Sequence, residues 1–341
     1  MPNAVLTESI DRLAAGEDLT ADEASRVLHE VMAGNASEAE TAAFLIGLRT
    51  KGETVPEIAG LARTMRELAT RVEVEGDLVD TAGTGGGRPT FNVSTTAAFV
   101  AAAAGCKVAK HGNRSATSQS GSADVLEALG ASIELEPAAV AECIDAVGFG
   151  FMFAPRHHQA MRHVVPVRKE LGVRTIFNFL GPLTNPAGAR RQVIGVSDSR
   201  YLETIAAALG ELGTQTALVV SSADGLDEFS VSGATAVVEL REGQLRSYEV
   251  SPDDVGLERV DDGAVGAGTP EQNAEVMRRV LSGGPGTERE LALMNAGAAI
   301  YVGGAADTIE AGARRAEEAI DSGVAMEVLE RYVERSRALG R

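Results

Sequence analysis

Glycines and hydroxyl residues crowd one stretch, Asp80 to Phe99, whose text DTAGTGGGRPTFNVSTTAAF is suited to holding a phosphate. An apolar run ends at Ala82 and meets Gly83, Thr84, Gly85, Gly86 and Gly87. Thr90, Asn92, Val93, Ser94 and Thr95 then open an alanine-rich helix. Glycines let backbone N–H groups approach phosphate oxygens, and a helix start adds free donors and a favourable dipole. The hydroxyls of Ser94 and Thr95 can bond phosphate or a metal held by it. A tight turn before a capped helix accounts for this cluster alone equally well. Two familiar nucleotide signatures do not fit: the dinucleotide pattern from Gly83 needs glycine where Arg88 stands, and no Walker lysine follows.

A second cluster favours the phosphate reading. Lys110-His111-Gly112-Asn113-Arg114 follows the short apolar run Lys107 to Ala109, and Thr117 to Asp124 forms another small-residue turn into a helix. Two anion-type turns at strand ends in one α/β unit suggest a single crevice. The adjacent acids Asp227 and Glu228 lie just beyond the strand Ala217 to Ser221. Such a pair is ordinarily solvated surface, but opposite two phosphate turns it suits Mg²⁺, which takes one or two carboxylates plus phosphate and water. His157, His158 and His163 match no zinc spacing. No GxSxG elbow is present for nucleophilic hydrolysis.

The elements that must position these residues change character along the chain. The first 70 residues or so read as helical: Thr20…Glu23, Ser37…Glu40 and Thr54…Glu57 are successive capping-box signatures, each opening a run of helical apolar spacing. Gly34 and Gly52 suit the stops. From about residue 77, short strands alternate with helices: Leu78 to Ala82, Thr96 to Ala104, Lys107 to Ala109, Ala123 to Leu129, Phe149 to Phe153, Gln192 to Val196, Tyr201 to Leu212 and Ala217 to Ser221. This predicts an α/β fold with a mainly parallel sheet flanked by helices, plus a smaller all-helical domain. Val237 to Leu240 and Leu245 to Val250 read as an antiparallel hairpin around a Glu-Gly turn, and the last 70 residues return to helix. Val164 to Ala187, rich in Pro, Asn and Gly, interrupts the alternation; a crossing back to the helical domain and a return fits better than a long idle loop.

Composition narrows the partners. The 341 residues carry 31 Lys and Arg against 49 Asp and Glu, a net charge of −18 that argues against nucleic acid. A small anion then needs positive potential concentrated locally, by backbone N–H groups, a few cations and a metal. The two cysteines, Cys106 and Cys143, stand far apart in apolar company and read as buried hydrophobes. No run approaches the roughly 20 apolar residues needed to cross a membrane. The N-terminus lacks the basic start and apolar run of a secretory signal, so a cytoplasmic setting is expected.

Taken together, AGTGGG (Ala82 to Gly87), FNVST (Phe91 to Thr95), VAKHGNRSATSQSGSADVLEALG (Val108 to Gly130), PVRKELGVRTIFNFLGPLTNP (Pro166 to Pro186) and DGLDEFS (Asp224 to Ser230) resemble the anthranilate phosphoribosyltransferases of tryptophan biosynthesis. The likeness runs nearly end to end. It implies a nucleoside phosphorylase/phosphoribosyltransferase fold, divided into a helical domain (1–72 with 165–187) and a phosphoribosyl-binding α/β domain (73–164 with 188–341). It also implies a homodimer through the helical domain. The implied reaction moves ribose 5-phosphate from phosphoribosyl pyrophosphate (PRPP) to the amine of anthranilate.

Carried over by position, the resemblance implies that Gly83 to Gly87, Thr90, Asn92 to Thr95, the turn Lys110, His111, Gly112, Asn113, Arg114, Ser115, Ala116, Thr117 and Ser118, and Ser122 hold PRPP. Gly83, Asn113, His158, Arg168 and Pro182 would bind anthranilate, Arg168 answering its carboxylate. Ser94, Asp227 and Glu228 would hold Mg²⁺. No residue is implied as acid or base, because an aromatic amine is already neutral at pH 7. Three departures stand out: Gly87 where the family has Asp, a loop before Thr90 one residue short, and Gln159 where the family has Pro. The first two suggest altered Mg²⁺ dependence. The competing readings are a pyrimidine nucleoside phosphorylase, similar in fold and also carrying a Lys-His-Gly turn, and a non-catalytic nucleic-acid-binding relative.

Overall fold

The computed structural model describes residues 2–115, 119–260 and 265–340. The chain begins with helices α1 (Ala4–Ala14), α2 (Ala21–Met32), α3 (Glu38–Lys51) and α4 (Val55–Leu68). Thr20 and Ser37 form the expected capping boxes with Glu23 and Glu40. At α4 the Glu57 carboxylate accepts from the Thr54 N–H, and it also takes the Leu19 N–H and Lys51 Nζ. This fully buried carboxylate therefore joins three helix ends as well as capping one.

The α/β part carries seven strands: β1 (Leu78–Gly83), β2 (Lys107–Gly112), β3 (Phe149–Phe153), β4 (Arg191–Gly195), β5 (Thr216–Ser222), β6 (Thr235–Arg241) and β7 (Gln244–Val250). Their order is β3-β2-β1-β4-β5-β6-β7. The five strands from β3 to β5 are parallel, and β6 and β7 add on antiparallel. Glu242 and Gly243, both at positive φ, make the tight turn of the expected hairpin. Strand β1 lies between β2, which follows it, and β4, which comes much later. The strand order therefore reverses at the β1–β4 boundary, where open α/β sheets place their ligands.

Helices α5 (Val93–Ala103), α6 (Ser122–Ala128), α7 (Pro137–Val147) and the short α8 (Ala154–His157) accompany the first three strands. The crossover segment holds α9 (Val165–Leu171) and α10 (Phe177–Leu183). Then come α11 (Leu202–Glu211), α12 (Pro270–Leu281), α13 (Thr287–Val302), α14 (Ile309–Asp321) and α15 (Val324–Leu339). Helix α5 has no charged residue and is covered by α13, α14 and α15, as a helix apolar on every face requires. Its many alanines allow that close packing. Helices α13 and α14 approach still more closely, because a Cβ on Gly312 would lie 2.2 Å from the Gly297 carbonyl.

Alternating strand residues feed two cores. Leu218 and Val220 of β5 face α5 and the C-terminal helices, whereas Ala217 and Val219 face α11 and the N-terminal bundle. Within the segment 164–187, α9 packs on α3 and α10 on α4. The link 70–72 bonds to both flanks of this segment: Thr70 N–H donates to His157 O of α8 at 2.8 Å and Val72 N–H to Pro186 O at 3.2 Å. Half-buried Arg66 of α4 reaches the C-terminal carbonyls of both α10 (Leu183 O, 2.7 Å) and α11 (Leu212 O, 3.0 Å). Burial lowers its pKa to about 10, so it remains charged at neutral pH.

Candidate active site

The carboxyl ends of β1, β2, β4 and β5 converge on one crevice. The glycine turn leaves β1 at Gly83, whose register partner on β4 is Gly195. No side chain fits at Gly195, since a Cβ there would sit 1.5 Å from the Asp227 carbonyl. The loop carrying Asp227 and Glu228 thus lies directly over the end of β4. It also reaches the glycine turn, where Asp227 Oδ2 accepts from Gly85 N–H at 2.9 Å. Arg88 seals the other side, its N–H on Gly225 O (2.7 Å) and its guanidinium on Asp224 (3.1 Å). Asp224 is gathered by the hydroxyls of Ser222, Ser230 and Ser232. Burial would raise its pKa, but these hydroxyls and Arg88 hold it below the usual carboxylate range.

The departure at Gly87 has a steric cause. A Cβ there would meet Asp227 Oδ1 at 2.6 Å, Asp227 N at 2.7 Å and the Gly225 carbonyl at 2.9 Å. The space a side chain would need is filled by the Asp227 loop.

Lys110 is placed otherwise than a cation presented to phosphate. It is 2% exposed, and its Nζ donates to Thr81 O (2.6 Å), Thr81 Oγ1 (3.2 Å) and Ser94 Oγ (3.3 Å). Its side chain runs inward beneath the start of α5, between Asp80 and Glu228, because those are the carboxylates it can neutralise. Burial lowers its pKa while both carboxylates oppose that shift. Its hold on the crevice passes through Ser94.

Ser94 also donates its N–H to Glu228. Burial, then the neighbouring Asp227, push the Glu228 carboxyl up to about 8, and burial raises Asp227 too. Two adjacent half-buried carboxyls beside one lysine are short of positive charge. With the Ser94 hydroxyl they form an all-oxygen donor set of the kind Mg²⁺ prefers. No group of three or more His, Cys, Asp or Glu able to hold a metal occurs among the described residues. Two carboxylates and a hydroxyl therefore fit an ion that completes its shell with substrate phosphates and water.

The second turn is organised by a residue not singled out from the sequence, Asp124 of α6. Its Oδ2 accepts from Ser115 N–H (3.1 Å) and Gly121 N–H (2.8 Å), so one carboxylate holds both of these residues. Arg114 spends its guanidinium on Asp124 and Glu127 and lies over the Phe153 ring. Ala116, Thr117 and Ser118 lie outside the described residues. Asn92, at the start of α5, spans Ser120 and Asn273 with its side-chain amide. Thr84 Oγ1 and Thr95 Oγ1 are buried at the crevice with no hydrogen-bond partner among the described residues.

On the crossover side, His111 Nδ1 lies 3.2 Å from the Gly181 carbonyl, and its ring is 5.1 Å from that of His158. Pro182 accompanies Gly181 in α10, so His111, His158 and Pro182 are brought together. Burial lowers both histidines, His158 to about 4 and His111 well below its ordinary value, leaving both neutral at pH 7. Arg168 sits in α9 over the Phe177 ring, 5.6 Å from its centroid, with its pKa lowered by burial. No ion pair is recorded for it among the described residues. Asn113 is exposed at the end of β2. Gln159 opens a 3₁₀ turn on the surface beside His158.

A crevice at the sheet's switch point, walled by a helical bundle, is the architecture of a two-domain glycosyl transferase. The model of the glycosyl transferase family a/b domain matches residues 75–326, and that of the family's helical bundle domain matches 7–69. An anthranilate phosphoribosyltransferase from Rubrobacter xylanophilus is 54% identical, over 98% of both chains. The crystal structure of the Thermus thermophilus enzyme of that name is 45% identical, with a TM-score of 0.91 over 96% of this chain and 99% of that one. The Saccharomyces cerevisiae enzyme in complex with PRPP and Mg is 28% identical, with a TM-score of 0.90 over 99% of both chains. The chain belongs to the anthranilate phosphoribosyltransferase family.

Proposed function

We infer that this chain transfers the 5-phosphoribosyl group of PRPP to the amine of anthranilate, releasing pyrophosphate, within tryptophan biosynthesis. The observation that carries the reading is the meeting, at the β1–β4 switch point, of the Gly83–Gly87 turn, the start of α5 and the half-buried Asp227–Glu228 pair. The turn and helix start offer N–H and hydroxyl groups to phosphates, and the carboxylates offer oxygens to a cation. PRPP–Mg²⁺ is the small molecule that answers both.

In this reading Gly83 to Gly87, Thr90, Asn92 to Thr95, His111 to Ser118 and Ser122 hold PRPP, with Lys110 acting on it through Ser94. Ser94, Asp227 and Glu228 would hold Mg²⁺, which when bound neutralises charge on the leaving pyrophosphate. Lys110 keeps the Ser94 hydroxyl in place and balances Glu228. Arg168, already desolvated and stacked on Phe177, receives the anthranilate carboxylate, where burial strengthens the pair. Asn113 and the neutral imidazole of His158 flank the ring beside Pro182. They orient the amine lone pair toward the anomeric carbon; the C–N bond forms as the C–O bond to pyrophosphate breaks, and the proton the nitrogen then sheds passes to the departing pyrophosphate or to water. Catalysis is then mainly positioning together with fixed dipoles that meet the charge developing as pyrophosphate departs.

The division into 1–72 with 165–187 and 73–164 with 188–341 is supported by the bonds of Thr70 and Val72 to the two ends of the crossover. A homodimer through the helical side would cover the exposed apolar residues Leu68, Val165 and Val173. We place the enzyme in the cytoplasm; no helix among the described residues is long and apolar enough to cross a membrane. The test is loss of anthranilate fluorescence on adding PRPP and Mg²⁺. Robust phosphorolysis of thymidine or uridine, with no turnover of anthranilate and PRPP, would overturn the reading.

A further inference from the structure

Arg174 stands between α9 and α10, outside every residue assigned above to a substrate. Its guanidinium nonetheless enters the crevice and grips the glycine turn by two successive carbonyls, Nη1 on Gly85 O at 2.6 Å and Nη2 on Thr84 O at 3.2 Å. The contact is tight enough that a Cβ on Gly86 would lie 1.8 Å from the guanidinium. Arg174 is itself held: its carbonyl accepts from Arg49 of α3 at 2.9 Å. A single residue therefore ties the glycine turn to the helical bundle.

The two bonds set the orientation of the turn's peptide groups. In a trans peptide the C=O and the following N–H point in opposite directions. Fixing Thr84 O on Arg174 turns the Gly85 N–H the other way, onto Asp227. Fixing Gly85 O likewise turns the Gly86 N–H away from Arg174. Glycines leave this turn with little conformational preference of its own. An outside group must choose which face shows donors, and only Arg174 reaches both carbonyls among the described contacts.

We propose that Arg174 is a positioning residue for PRPP: it orients the N–H groups of the glycine turn from the helical side, without being a ligand of anthranilate. This rests on the PRPP reading above. Arg174→Gln should raise KM for PRPP about tenfold while KM for anthranilate changes less than twofold. Arg174→Lys, able to keep one of the two bonds, should recover part of the loss. Arg49→Ala should shift the PRPP KM in the same direction by a smaller factor. Amide hydrogen exchange across residues 83–88 should be at least tenfold faster in Arg174→Gln than in the wild type. An unchanged PRPP KM with unchanged exchange overturns the proposal, as does an equal rise in KM for both substrates. Wild-type turnover, measured alongside, separates the two ideas. If the wild type were inactive the PRPP reading would fail, and the exchange comparison would still decide whether Arg174 sets the turn.

Discussion

Asn185, at the return of the crossover, donates Nδ2 to Asp80 Oδ2 of the central strand at 2.7 Å, and the same amide reaches the Ala109 carbonyl of β2 at 2.8 Å. Asp80 uses its other oxygen to hold the His111 N–H at 3.1 Å. One buried carboxylate thus aligns the two strands that launch the glycine turn and the Lys110–Arg114 turn, and anchors the segment that carries Arg168, Arg174 and Pro182.

That linkage has a pH signature. Burial raises Asp80 from 3.8 to about 6 despite Lys110 and the Asn185 bond. A carboxyl raised on folding favours the native state most below its unfolded value, and this contribution is lost as pH rises through about 6. Asn185→Ala removes a donor to the charged form. It should cost about 2 to 4 kcal/mol at pH 8 and distinctly less at pH 5. Urea unfolding at both values checks this, and an equal loss at the two would contradict it.

Gly87→Asp would install the residue usual in the family. In this chain its Cβ has backbone on two sides and the Asp227 carboxylate on a third. The expected result is a fall in kcat/KM for PRPP of at least about tenfold, as for other overpacked sites costing about 1–3 kcal/mol. More Mg²⁺ should not restore it. Steady-state kinetics across a Mg²⁺ titration decides the matter, and improved activity would show that the turn can open.

The two substrate halves should separate by mutation. Arg168→Ala should raise KM for anthranilate by roughly 10- to 100-fold, the usual worth of a charge-assisted bond, with the PRPP KM little moved. Asp227→Asn should chiefly raise the Mg²⁺ and PRPP requirement. Wild-type constants for both substrates in both variants would sink the assignment.

His158 should set part of the acid limit of stability. Its pKa falls from 6.5 to about 4, through burial first and then His157. Its stabilising contribution is complete above the unfolded value and lost as pH falls from about 6.5 through 4. The difference corresponds to about 3 kcal/mol at roughly 1.4 kcal/mol per unit. His158→Gln should flatten the decline of unfolding free energy over that window, as measured by chemical denaturation at pH 7, 5.5 and 4.

Much of this protein is decided within short stretches of chain. The capping boxes of α2 and α3 formed as read, because donor and acceptor stand three residues apart and need no distant partner. The alternation of strands and helices, the hairpin at Glu242-Gly243 and the outward detour of 164–187 were legible for the same reason. So were the small and hydroxyl residues that make the turns after β1 and β2. Residues far apart in the chain decided the rest. The strand order fixed which turns share a crevice. Burial between Asp80 and Glu228 drew Lys110 inward, although its text places a cation at a strand end. Arg174 reaches Gly85 across 89 positions and Asp227 reaches it across 142, so neither partnership had a local signal. The small residue at Gly87 was visible in the sequence as a departure. Its reason was not, because the space it leaves is filled by the backbone of Gly225 and Asp227, and packing between distant segments exists only once the sheet has assembled.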